Sequence, residues 1–233
     1  MMGMLMGAIA AAGAAAPVPS IAFRAGYSDA TNASSYTFTA CDIGAAPDVG
    51  ETREVFVSIE WYQGGTASRT LSSVTIGGVA ATLETAFNNG VLQAMCVARA
   101  VVPSGTTGDV VLTFSNTVFS CSIATYRVMN RASTSAATDS GTATFSAVAT
   151  AGVSGIDVNA GGFVLSVVGW GNTVSAPALS GLTGATSDAF NTPESTGYAA
   201  HGSTSLQAGA STGNTMTWTW TTSRSGLAAA WAF

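Results

Sequence analysis

TMTWTWTT (215–222) places Trp218 and Trp220 on one side of an extended chain and the threonines on the other. A period of two, carried by aromatic and β-branched side chains, is the mark of a strand with one packed face. Working outward, the chain from Ile21 onward reads the same way. Apolar or alternating runs occur at IAFRAGY (21–27), SYTFTACDI (35–43), VFVSIEWY (55–62), TLSSVTIGG (70–78), VAATLETAF (79–87), VLQAMCVARAVV (91–102), DVVLTFS (109–115) and FSCSIATYRVM (119–129). A second set follows at TATFSAVA (142–149), GFVLSVVGW (162–170), TGYAAHGST (196–204) and GLAAAWAF (226–233). Gly, Asn, Ser, Thr and Pro separate them at the intervals of a β-sandwich. No stretch beyond residue 20 holds a helical period. The expectation is an all-β chain, an antiparallel β-sandwich of jelly-roll-like form.

The two sets echo each other. Phe38 answers to Phe145, Phe56 to Phe163, Trp61 to Trp170 and Phe87 to Phe190; PSGTTGDVVLTFS (103–115) matches GASTGNTMTWTWT (209–221), and CSIATYRV matches GLAAAWAF. The offset stays near about 105 residues throughout, which reads as an internal two-fold repeat. The expected division is an apolar segment with a Pro hinge (1–20), a first β-sandwich half (21–130), a linker RASTSAATDSG (131–141) and a second half (142–233).

The opening MMGMLMGAIAAAGAAA (1–16) carries no charged or polar side chain, and PVPS (17–20) ends any helix there. Three readings stand. A signal peptide has the apolar stretch and small residues before Pro17, but lacks the basic n-region, the first basic residue being Arg24. A membrane span needs about 20 strongly apolar residues, and this segment is short and Ala/Gly-rich. The third and preferred reading is a retained assembly anchor in which Met1, Met2, Met4, Leu5, Met6 and Ile9 are buried against other chains, because such a segment alone in water is marginal.

Composition narrows the function. Apolar residues make up 47% and charged residues only 8%, against a usual quarter, and low charge favours association. The net charge is −5 and the seven basic residues are all scattered arginines, so no basic patch exists to replace counterions on nucleic acid. Cys41, Cys96 and Cys121 are odd in number and widely spaced; they read as small buried hydrophobes rather than a disulfide framework or a zinc site. His201, the one histidine, has no nucleophile-elbow context and is expected at the surface or half-buried on a strand. Glu60, beside Trp61 and Tyr62, is the most suggestive carboxylate, yet alternation sends Trp61 to the core and Glu60 to solvent. No calcium loop or phosphate-cradling loop occurs. The tryptophans read as core plugs, and Tyr62 and Tyr198 as loop aromatics for ligand contact. No catalytic residue, metal site or cofactor is expected.

The apolar Gly/Ala start, the Pro hinge and a Lys-free β-domain with SSYTFTACDIG (34–44) and SSVTIGGVAATL (72–83) resemble small virion proteins of tailed bacteriophages, those associated with tail fibres and tail tips. The resemblance covers most of 21–130 and, more weakly, the second half. It implies a non-enzymatic structural protein located in the virion. Residues 1–20 would fix it to other virion proteins and to copies of itself (a trimer being the commonest fibre arrangement). The β-domain would face neighbours or a host-cell glycan. The resemblance supplies no catalytic residue and implies neither nucleic-acid binding nor a stable membrane span. Two alternatives are kept: a capsid decoration or head-fibre protein, and a secreted carbohydrate-binding or adhesive module whose first residues are a signal peptide.

Overall fold

Strands form wherever the sequence alternates, and the chain reverses at glycines in left-handed conformation. Gly77 (φ 58°) and Gly78 (φ 80°) make one such turn. In a computed structural model, which describes residues 17–64, 68–90, 92–171, 178–191 and 197–233, the elements are β1 (Ser20–Asp29), β2 (Ala33–Asp42), β3 (Arg53–Tyr62), β4 (Leu71–Ile76), β5 (Val79–Ala80), β6 (Thr82–Leu83), β7 (Phe87–Asn88), β8 (Gln93–Val101), β9 (Thr107–Val118) and β10 (Ser120–Met129). They continue with β11 (Asp139–Val158), β12 (Val164–Gly171), β13 (Leu179–Thr183), β14 (Thr186–Asn191), β15 (Gly197–Ser203) and β16 (Ser211–Ala232). All pairings are antiparallel and no helix occurs among the described residues, so none there could cross a membrane as a helix.

Three sheets result. The first runs β1-β10-β3-β8-β6 with β7 also on β8; the second runs β2-β9-β4-β5; the third runs β11-β16-β12-β15-β14 with β13 also on β16. The first two sheets close on a core containing Val55, Val57, Ile59 and Trp61 of β3 and Tyr36, Leu112 and Phe114 opposite. The third sheet folds over itself. Its strands β11 and β16 are long enough to turn the corner, with register shifts between Phe145 and Val148 and between Val153 and Ile156, and they enclose Val153, Trp170, Trp218 and Trp220.

A third core joins these two bodies. Phe56, Met95, Val97, Tyr126 and Val128 of the first sheet meet Phe163, Leu165, Val167, Leu227, Ala229, Trp231 and Phe233. The first sheet is therefore covered on both faces, which is why β3 is buried at every position except Tyr62. The odd residues of β3 face the second sheet and the even ones face the third. Burial follows period two in side and not in exposure.

Several element boundaries differ from the sequence expectation for identifiable reasons. The run 79–87 is not one strand, because the chain crosses there from β4 of the second sheet to β8 of the first and makes only brief pairs with each. Conversely, 215–222 and 226–232 belong to the single strand β16. The polar stretch 131–141 gives its last residues to β11, which starts at Asp139.

Candidate functional site

Where the first and third sheets meet, alternation turns polar side chains inward from both sides. β3 contributes Ser58 and Glu60, β10 contributes Ser122 and Tyr126, and β15 contributes His201 and Ser203. His201 Nδ1 lies 2.7 Å from Ser58 Oγ, and its Nε2 lies 2.9 Å from Ser122 Oγ. A neutral imidazole has one donor and one acceptor, so it donates to one serine and accepts from the other. The ring is fully buried, and burial pushes its pKa down to about 3. Beside it, burial raises the Asp188 carboxyl, partly offset by hydrogen bonding to Ser203 and Tyr126, and raises the Tyr126 phenol strongly. A Ser–His contact here is a cross-sheet tie. Both serines and the ring are closed to solvent, so no substrate reaches them.

His201 was expected at or near the surface and Glu60 in solvent; both are corrected. Glu60 is 1% exposed, because the face of β3 that a lone sandwich would show to water is covered by β12, whose Gly169 sits against the Glu60 side chain. Tyr198 is likewise not a loop aromatic: it lies in β15, 4% exposed, in the core of the third sheet. Tyr62 is half-buried at the end of β3, edge-on to Phe119 with ring centres 6.1 Å apart. The structure does not bring the two tyrosines together as a site. The anchor residues Met1, Met2, Met4, Leu5, Met6 and Ile9 lie outside the described residues.

A second polar cluster fastens the 131–138 crossing. Arg99 Nη1 bonds Glu54 Oε1 at 2.8 Å and Thr134 O at 2.5 Å, and Arg99 Nε bonds Glu84 Oε1 at 2.5 Å. Arg131 Nε bonds Glu54 Oε2 at 3.0 Å, while its guanidinium sits over the rings of Phe56 and Phe233 at 5.4 and 5.8 Å. Burial pulls the Arg99 pKa down, but its hydrogen bonds to Glu54 and Glu84 more than reverse that; for Arg131 burial wins and the pKa falls. Arg53, fully buried, pairs with no carboxylate among the described residues; it donates to the carbonyls of Val102, Gly44, Gly105 and Ser104 at 2.6–2.9 Å. None of these ties is legible in the sequence, since the hydrogen-bonding partners lie on different strands or loops, 9 to 77 residues apart.

The three cysteines are buried and free, as the sequence reading expected, and burial raises each thiol's pKa, Cys41 to about 11 and Cys96 to about 12. Among the described residues no group of His, Cys, Asp or Glu is arranged to hold a metal ion. All five tryptophans are core residues, as expected.

Two open hollows are found among the described residues: a polar one of about 520 Å³ between the Gly77–Gly78 turn and the Pro103–Asp109 segment, and an apolar groove of about 150 Å³ where Pro19, the 131–138 crossing and the Asn159–Gly162 turn meet. The apolar groove is the one beside the N-terminal run. Ala132, Ala136 and Ala160 supply its exposed wall, and Phe233 and Arg131 its floor. No family model matches the chain, and no curated protein matches it. Among solved structures, a chain of Cucumber Leaf Spot Virus aligns with 99% of this chain and 96% of its own at 12% identity, with a TM-score of 0.20. A likeness that slight carries no argument.

Proposed function

We propose that this chain is a non-enzymatic structural protein of a bacteriophage virion. It would be a tail-fibre or tail-tip component, held through residues 1–20 and presenting its β-domain for assembly or host-surface contact. The observation that supports this best is the strand order. In the first body, β1-β10-β3-β8 face β2-β9-β4-β5, the arrangement of two four-stranded sheets of a jelly roll. In the second, β11-β16-β12-β15-β14 follows the same order when each long strand is counted as two. The first half of β11 then stands for β1 and its second half for β2, and β16 stands for β9 and then β10. The sequence echo expects two successive halves of similar topology, and this correspondence supports that reading. One echo fails this correspondence, since Phe38 lies in β2 while Phe145 lies in the first half of β11. Jelly rolls serve in viral particles and in lectins, and the fold alone does not separate these uses. The sealed Ser58–His201–Ser122 contact and the low charge favour assembly over chemistry.

The test is assembly of the chain with and without residues 1–16. The full chain should self-associate in sedimentation and enter particles. The shortened chain should keep the same near-ultraviolet circular dichroism, sediment as a monomer and be missing from particles. Full incorporation of the shortened chain would overturn the proposal. Hundreds of copies per particle would favour a head decoration protein over a tail component, and a mature chain starting near Pro17 would favour the secreted module.

A further inference from the structure

The groove at Pro19 lies at the start of the described residues, directly after the apolar run 1–16 of the sequence. Pro17, Val18 and Pro19 are exposed, Val18 by 76%, and Asn130 Nδ2 donates to the Val18 carbonyl at 3.3 Å. Asn130 also donates to Glu51 Oε1 at 3.1 Å, and this brings the fully exposed Val49 loop to the same end of the molecule. Val18 and Val49 are two of the four large hydrophobics left exposed among the described residues. One end of an otherwise Ser/Thr/Gly-rich surface is thus greasy, and it is the end from which MMGMLMGAIAAAGAAA departs.

The groove's size and chemistry specify its guest. A hollow of about 150 Å³ accepts a group the size of benzene, which is one Met, Leu or Ile side chain. Alanine, glycine and proline over the Phe233 ring make its surface mostly apolar, with Ser133, Ser135, Thr138 and Asn159 also in the lining, and its one charged member, Arg131, is already engaged by Glu54 and by Ser135 O at 2.9 Å. An unbranched or γ-branched apolar knob fits this mostly apolar surface, and the Phe233 ring at its base offers a polar group nothing to bond. Residues 1–9 offer Met1, Met2, Met4, Leu5, Met6 and Ile9, and methionine in particular fills irregular hollows. Pro17 and Pro19 hold the outgoing backbone extended. Because Pro19 is itself a wall of the groove, the same chain's segment would have to reverse completely to enter it.

We propose that the groove bounded by Pro19, Ala136, Ala160 and Phe233 receives the apolar segment 1–16 of a second copy of this chain. This deepens the assembly reading above and rests on it: the anchor acquires a defined seat, and self-association becomes an exchange of arms. A head-to-tail contact of this kind closes into a ring when its rotation allows, as a fibre collar requires.

The experiment mixes two full-length variants, Leu5→Cys and Ala160→Cys, under mild oxidation, with the native cysteines protected by burial. Non-reducing gels and peptide mass spectrometry should find a disulfide joining positions 5 and 160 of different chains. A chain carrying both substitutions should form the same link between copies. A link formed only within one chain, or none at either position, would overturn the proposal. Independently, Ala160→Arg should weaken self-association about tenfold or more, the loss of one buried apolar side chain, with circular dichroism unchanged; unaltered sedimentation would also overturn it. If removing residues 1–16 abolishes assembly while no link between positions 5 and 160 forms, the anchor stands and the groove is not its seat. If neither has an effect, both fall.

Discussion

His201 makes stability depend on pH above the ordinary carboxylate range. In the folded chain the imidazole is neutral, with its pKa near 3; in the unfolded chain it returns to about 6.5. At pH 7.5 both states are neutral at this site and it contributes no pH dependence. As pH falls through 6.5 the unfolded chain takes up a proton that the folded chain refuses, so stability drops by about 1.4 kcal/mol per pH unit. Between pH 6.5 and 5 that amounts to about 2 kcal/mol, and by pH 3 to roughly 5 kcal/mol if no other group intervened. The neighbours define the window. Asp188 on β14 has a raised pKa, so in the carboxylate range the folded state protonates first and the sign there is opposite. Glu60 on β3 packs against the same seam, and the Tyr126 phenol stays neutral throughout. Because Asp188 is common to both proteins, comparison of the native chain with His201→Gln over pH 7.5–5 isolates the histidine. Urea unfolding followed by the fluorescence of the five tryptophans should show the midpoint falling with pH for the native chain. For His201→Gln it should be nearly flat, since glutamine keeps a donor and an acceptor but cannot protonate. At pH 7.5 the variant should itself be about 1–2 kcal/mol less stable through imperfect bonding to Ser58 and Ser122. Parallel curves for the two proteins would refute the reasoning.

Other consequences are as direct. Arg53→Met strips donors from four carbonyls around residues 44 and 102–105 and should cost about 3 kcal/mol or more, read as a lower urea midpoint. Arg99→Met leaves Glu84 buried without its cation and should cost roughly 3–5 kcal/mol, with a good part recovered by adding Glu84→Leu. Gly226→Ala would place a methyl 2.0 Å from the Gly169 carbonyl oxygen, forcing β12 and β16 apart; calorimetry should register a loss of about 1–3 kcal/mol. The three thiols should be inert to a disulfide reagent at pH 8 in the folded protein and react fully in denaturant; fast reaction of the native chain would contradict their burial.

The all-β character was legible because alternation is local: Trp218 and Trp220 share a face, as their spacing required. So was the core role of the tryptophans and cysteines. What period two cannot tell is whether the opposite face meets water or another sheet. Glu60 and His201 were misread for that one reason: the third sheet covers Glu60 and the first sheet covers His201, and nothing within ten residues of either announces it. The corner strand β16 was read as two shorter strands and β11 as 142–149 alone, because bends such as those at Phe145–Val148 and Val153–Ile156 interrupt the alternation without interrupting the pairing. The charged ties of Arg99 and Arg53 depend on partners brought up by topology, which no spacing rule reaches.

The central core has a consequence for synthesis. Its first wall, Phe56, Met95, Val97, Tyr126 and Val128, is complete once β10 has been made, but its second wall depends on Leu227, Ala229, Trp231 and Phe233 in the latter half of β16. A nascent chain translated as far as the 131–138 crossing already holds a closed first sandwich while exposing a broad greasy sheet to the cytosol. That surface must be shielded, or kept from meeting its like on neighbouring ribosomes, for as long as roughly a hundred further residues take to translate. Yield in a heterologous host should therefore respond to trigger factor or lower temperature more than to any change in the mature fold's stability.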